Sequence, residues 1–323
     1  MASLLLRNLR DVFSRELKVR AAQNGRTTEE EHRRILEGAL GEPILAERQR
    51  QTVAKRLNQL LRMLNDGGRG RPEMAIPRMA ELLGLNTAGG LEAYFYGEDE
   101  APFDLLDRIT ETFGLRPEWM KFGRYEPFDV RQYTVRGLHL PKGLGTRYES
   151  LASLMEALEP EAIFFVRSLG ENGSATIFLQ RSDWKYEGFY DGWHVSDEVG
   201  ATGEAQLFEL WKLLKSIGDD SGIARKVAGR QLPAEVYLSL CRGEVFPGSV
   251  LHQQRFYSHW HDDFTDVHQV MPIARSNAHE AMPKNGEGYA GYGQGFQQAQ
   301  ARVRQCLKHE KEDQERRRRE TSD

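Results

Sequence analysis

The densest group of side chains able to do chemistry is His259-Trp260-His261-Asp262-Asp263, with Asp266 and His268 close behind. Imidazoles and carboxylates suit a divalent cation, and an extended strand would put His259, His261 and Asp263 on one face. Density alone does not make a site. The chain has no helical His-Glu-x-x-His, zinc-ribbon or Walker pattern, so a polar loop is the expected reading. No nucleophile triad is legible around Cys241 or Cys306, and Gly291-Tyr292-Gly293-Gln294-Gly295 lacks the strand-and-helix setting of a nucleotide loop. Trp184, Tyr186, Phe189, Tyr190 and Trp193 could stack on a ligand, but an aromatic hairpin is more often half of a sheet core. No catalytic residue, metal ligand or cofactor is assigned, and the chain is not expected to be an enzyme.

The other candidates are cations able to meet phosphate. Net charge over the 323 residues is −4, yet nucleic-acid binding depends on where charge sits. From Arg48 to Arg78 eight basic residues (Arg48, Arg50, Lys55, Arg56, Arg62, Arg69, Arg71, Arg78) face only Asp66 and Glu73. Two widely spaced cysteines argue against a disulfide framework and fit a reducing cytoplasm. Apolar runs are too short for a membrane span or a signal-peptide core, so no membrane partner is expected.

The elements that must position these groups begin in residues 1–40. Ser3-Leu4-Leu5-Leu6-Arg7 reads as a strand, a helical segment follows to Gln23, Asn24-Gly25-Arg26 breaks it, and Thr27-Thr28-Glu29-Glu30-Glu31 opens a second helix. Strand parity sets Ser3, Leu5 and Arg7 on one face and Leu4 and Leu6 on the other. Thr27 or Thr28 should cap the second helix, with Glu30 or Glu31 completing a capping box. Gly41-Glu42-Pro43 should end it. One strand and two helices bury too little apolar area to fold alone, so this segment should pair with a second copy.

The pattern Met1-Ala2-Ser3-Leu4-Leu5-Leu6-Arg7-Asn8-Leu9, continued by Asn24-Gly25-Arg26-Thr27 and Glu30-Glu31-His32-Arg33-Arg34-Ile35-Leu36, resembles the ribbon-helix-helix repressors, in particular their antitoxin branch. The resemblance implies a dimer whose two strands form an antiparallel ribbon in the DNA major groove. Ser3, Leu5 and Arg7 would then face the bases, Arg7 forking onto guanine and Leu5 meeting a thymine methyl. Arg26, Thr27 and Thr28 would hold a phosphate at the helix start.

Residues 46–64 carry Val53, Leu57, Leu60, Leu61 and Leu64 at helical spacing, and four further short helices are expected up to residue 122. Met79-Ala80-Glu81-Leu82-Leu83-Gly84-Leu85, Phe103-Asp104-Leu105-Leu106-Asp107-Arg108-Ile109 and Phe113-Gly114-Leu115-Arg116-Pro117-Glu118-Trp119 resemble the lambda-repressor-like helix-turn-helix family over residues 52–124. That implies a third helix led by Asn86, Thr87 and Ala88 entering the major groove. Here it carries Gly89, Gly90 and Glu92 and no Lys or Arg, so packing or partner binding weighs equally with DNA contact. Between the first two helices, Arg69-Gly70-Arg71-Pro72 resembles the core of an AT-hook, which would put Arg69 and Arg71 in an A·T-rich minor groove.

Further on, residues 162–168 and 174–180 read as strands joined at Asn172-Gly173, and residues 184–190 and 193–195 as a second hairpin around Asp191-Gly192. Residues 203–217 and 233–242 read as amphipathic helices, residues 283–298 as a Gly/Tyr/Gln-rich loop and the charged end as a frayed helix or a disordered tail. The expected fold is multidomain α+β: ribbon-helix-helix (1–41), an all-α helix-turn-helix unit (52–124), an α+β unit with a small antiparallel sheet (130–300) and a charged tail (301–323). The expected function is a cytoplasmic, sequence-specific transcriptional repressor binding double-stranded DNA as a homodimer or higher even oligomer. The C-terminal unit is left to a small ligand or a protein partner. Two other readings are an antitoxin-like protein that masks a protein partner and a metal-dependent enzyme tethered to DNA.

Overall fold

The computed structural model describes residues 11–66, 73–131, 134–135, 148–170, 173–196, 201–267, 292 and 294–320. The expected strand at 3–7, the Arg69–Arg71 motif, His268 and most of the 283–298 stretch lie outside the described residues.

Helix α1 (Asp11–Gln23) turns at Gly25, whose φ of 63° suits a residue without Cβ, into α2 (Thr28–Asn65). The expected stop at Gly41-Glu42-Pro43 does not occur: the helix runs through all three residues. An interior proline removes one backbone hydrogen bond and normally breaks a helix. Here both flanking stretches are fixed independently, by a capping box at residue 27 and by the buried residues Val53, Ala54, Leu57, Leu60 and Leu64 near the other end. Helical backbone therefore joins the N-terminal segment to the next unit.

In that unit, α3 (Ile76–Leu82), α4 (Gly89–Tyr96), α5 (Phe103–Phe113) and α6 (Pro117–Phe122) pack on the C-terminal part of α2 through Leu57, Leu60, Met79, Leu91, Phe95, Leu106, Ile109, Phe113 and Met120. The helix expected at 46–64 is the end of α2, and the four shorter ones follow in order, the third beginning at Gly89 and not at Asn86. Asn65 clamps the two ends of the Arg69–Arg71 segment together, its Oδ1 accepting from the Met74 amide (2.7 Å) and its Nδ2 donating to the Met74 carbonyl (2.8 Å).

Beyond it come β1 (Val130–Arg131), β2 (Thr134–Val135), β3 (Tyr148–Glu149), α7 (Leu151–Leu158), β4 (Ala162–Ser168), β5 (Ser174–Ser182) and β6 (Lys185–His194). Then follow α8 (Ala201–Asp219), α9 (Ser221–Ala224), β7 (Val227–Leu232), α10 (Ala234–Arg242), α11 (Pro247–Leu251), α12 (Trp260–Thr265) and the long α13 (Gln294–Glu320). Five strands form one sheet in the order β1-β6-β5-β4-β7. It is mixed, and not the antiparallel sheet expected: β4–β5 and β5–β6 are antiparallel, but β4–β7 and β1–β6 are parallel. The crossover through α8 and α9 is long enough to bring β7 alongside β4 in the same direction.

The β4–β5 hairpin forms as read, with Ala162 opposite Gln180. The second hairpin was misplaced. Asp191 and Gly192 lie inside β6, and the chain reverses instead at Asp183-Trp184, where Ser182 Oγ accepts from the amides of Trp184 and Lys185. Trp193 pairs with Ala175 but Phe189 with Ile177, so the extra β6 residues are absorbed as a bulge.

Both sheet faces are covered. Phe164, Val166, Phe178 and Tyr186 share one core with α2–α6, α10 and α11. Ile163, Phe165, Ile177, Leu179 and Phe189 share a second core with α7, α8, α12 and α13. Two buried faces explain why the strands read as continuous apolar runs.

Candidate nucleic-acid interface

The α1–α2 corner is the described part of the expected DNA-binding segment. Thr27 Oγ1 accepts from the Glu30 amide (3.2 Å), and the Glu30 carboxylate accepts from the Thr27 amide (2.9 Å). That pair completes the capping box, and of the alternatives read from sequence it selects Thr27 with Glu30. The Thr27 amide, with its hydroxyl, holds the Glu30 carboxyl below its ordinary value.

Glu31 turns the other way and is only 4% exposed. It accepts from Asn24 Nδ2 (2.9 Å) and Arg26 Nη1 (3.0 Å), with Arg20 Nε at 3.6 Å. This carboxylate fixes the interhelical turn, and Arg26 is held by it at the corner, still one-third exposed. Glu29 pairs with Arg33 (3.6 Å), so each of the three acids opening α2 has a cation or donor beside it. Thr27 and Thr28 are exposed, and the first two helical amides, of Thr28 and Glu29, have no acceptor among the described residues. Such amides suit a phosphate oxygen. The sequence showed the acids here but not which one faces inward.

Of the α1 side chains described, only Ala21 is buried. Phe13 (60% exposed), Val19 and Ile35 stand in solvent.

The second basic region is less uniform than its composition suggests. Arg56 is buried, and its guanidinium donates to the carbonyls of Met120 (2.7 Å) and Lys121 (2.9 Å), locking α6 onto α2. Arg78 lies 6.0 Å from the centre of the Trp184 ring, and Arg50 pairs with Glu47. Arg48, Lys55 and Arg62 face solvent.

Asn86 and Thr87 are exposed but precede α4, which begins at Gly89 after an Ala88 N-cap that makes no side-chain hydrogen bond. Glu92 sits in the first turn, and α4 buries Leu91 and Phe95 against α2, where Asn58 also donates to the Phe95 carbonyl (2.8 Å).

His259, His261 and Asp263 do not share a strand face, because Trp260–Thr265 is helical. His261 is buried with its ring nearly parallel to that of Phe165, centroids 6.4 Å apart, and burial pushes its imidazole below the ordinary value. Asp263 accepts from the Tyr292 hydroxyl (2.5 Å). Among the described residues no three His, Cys, Asp or Glu side chains come together as a metal-holding group. The aromatic residues Trp184, Tyr186, Phe189 and Trp193 are core, as their spacing suggested. Burial raises the Cys241 thiol to about 11.

A cleft of about 730 Å³ opens between α5, α6 and the β1–β6 edge, lined by Arg116, Arg131, Arg181, Asp129 and Glu187 among others. Its arginines are already paired, Arg116 with Asp129 (2.7 Å) and both Arg131 and Arg181 with Glu187 (3.3 Å each). No described helix is long and apolar enough to cross a membrane.

Residues 2–40 match the family described as "Antitoxin FitA-like, ribbon-helix-helix", so the N-terminal region is ribbon-helix-helix in type. No curated protein and no solved structure matches the chain.

Proposed function

We propose that this chain is a dimeric, sequence-specific DNA-binding transcriptional regulator that acts as a cytoplasmic repressor. The observation that carries the reading is the ribbon-helix-helix match at residues 2–40. The capped and ion-paired α1–α2 corner and the exposed Phe13, Val19 and Ile35 support it, since pairing with a second copy would give such side chains a place to pack. In this reading Ser3, Leu5 and Arg7 meet base edges, and Arg26, Thr27 and Thr28 position the ribbon on phosphate. Arg69 and Arg71, on a segment whose ends Asn65 clamps, extend the contact into the minor groove. Asn86 and Thr87 contribute little, because α4 offers a carboxylate and no cation. The sheet-bearing half takes the signal.

A second reading draws on the same match: the antitoxin type suggests masking of a protein partner, with control of transcription secondary. Selection from random duplex DNA by the full chain tests the first reading. We expect enrichment of a site with two symmetry-related halves, as a two-fold dimer requires. A pool that stays random after several rounds contradicts it.

A further inference from the structure

The second core contains one charge that nothing described neutralises. Arg167 ends the row Ile163, Phe165, Arg167 on β4 and is 4% exposed. Its Nη2 donates to the carbonyls of Val195 (3.1 Å) and Tyr292 (3.2 Å), and the guanidinium lies 5.2 Å from the centre of the Phe296 ring. Among the described residues the Nε and Nη1 donors have no acceptor. Burial lowers the guanidinium only to about 10, so it stays charged at neutral pH.

Beside it in register on β7 is Gln231, also buried. Its Oε1 accepts from Ser258 Oγ (2.9 Å), which leaves Nε2 as a second buried donor without a partner. Tyr292, whose carbonyl Arg167 holds, gives its hydroxyl hydrogen bond to Asp263. Burying a cation and neighbouring donors without an acceptor is strongly unfavourable, and native interiors satisfy nearly all such groups.

We propose that Arg167 and Gln231 form a binding site for the carboxylate or phosphate group of a small ligand, at the end of β4 and β7 beneath α12 and α13. The anion would accept from Arg167 Nε or Nη1 and from Gln231 Nε2, in charge-assisted hydrogen bonds inside a low-dielectric core. The site involves no DNA, so it stands or falls independently of the DNA-binding reading.

The test is thermal unfolding of the full chain at pH 7 in sodium phosphate and in sodium acetate, each against sodium chloride of equal ionic strength. Binding to the folded state alone should raise Tm by a few degrees in at least one of the two anions. The anion that acts identifies the group recognised. Arg167→Met should lose the rise. Gln231→Glu sets a carboxylate in register beside the guanidinium, so it should raise Tm in chloride and abolish the response to added anion. That variant keeps the test decisive if Arg167→Met does not fold. The proposal is overturned if neither anion exceeds chloride, or if Gln231→Glu lowers Tm and leaves the anion response intact.

Discussion

Arg7→Ala lowers the affinity of the dimer for its specific site by roughly 2–6 kcal/mol, a loss of about 30-fold to more than 10⁴-fold. Arg7 is the only cation in residues 3–7, and its parity places it with Ser3 and Leu5. One bidentate contact from arginine to guanine is worth about 1–3 kcal/mol of discrimination, and a two-fold dimer carries two. The double substitution Asn86→Ala with Thr87→Ala should change affinity little, because both residues precede a helix that presents Glu92. Fluorescence anisotropy on the selected duplex measures both. If the second pair proves the more damaging and Arg7→Ala is silent, the ribbon serves dimerisation and the helical unit reads the DNA.

Trp260→Ala destabilises the chain by about 3–5 kcal/mol, the range for removing a fully buried tryptophan. The ring is completely buried at the start of α12, and its Nε1 donates to the carbonyls of Phe165 (3.2 Å) on β4 and Arg230 (3.1 Å) on β7. One side chain thus pins the helix across the parallel strand pair that the α8–α9 crossover creates. Trp260→Phe keeps most of the volume and loses both hydrogen bonds, so it should cost less, about 1–3 kcal/mol. Equilibrium denaturation in urea reads both values. An alanine variant within 1 kcal/mol of the parent would show that α12 does not tie the strands together.

How far the sequence reaches is clearest where local chemistry decides the structure. Thr27 and Glu30 stand at capping-box spacing, and Asn172-Gly173 stands between two apolar strand-like runs, so both features are legible. Asp191-Gly192 carries the same turn signal and fails, because β6 pairs with β5 on both sides of it, up to Phe189 and again from Trp193, and takes up the residues between as a bulge. Gly41 and Pro43 fail as a helix stop because what lies on either side of them fixes the helix. The parallel β4–β7 pairing depends on contacts between distant segments, which no local pattern records. Arg56 illustrates the same limit. It stands in a basic run counted among the cations able to meet phosphate, yet it closes α6 through carbonyls 64 and 65 residues away. Arg167 left a trace, a cation set after the run Ile163-Phe164-Phe165-Val166, but only the three-dimensional neighbours reveal that no described residue is its counterion.

Sedimentation equilibrium of the full chain at micromolar concentration bears most directly on the claim that the N-terminal segment works as one half of a paired ribbon. A dimer is expected, because α1 leaves Phe13 and Val19 in solvent and a lone strand at residues 3–7 would have no partner for its backbone. A folded monomer at that concentration would contradict it.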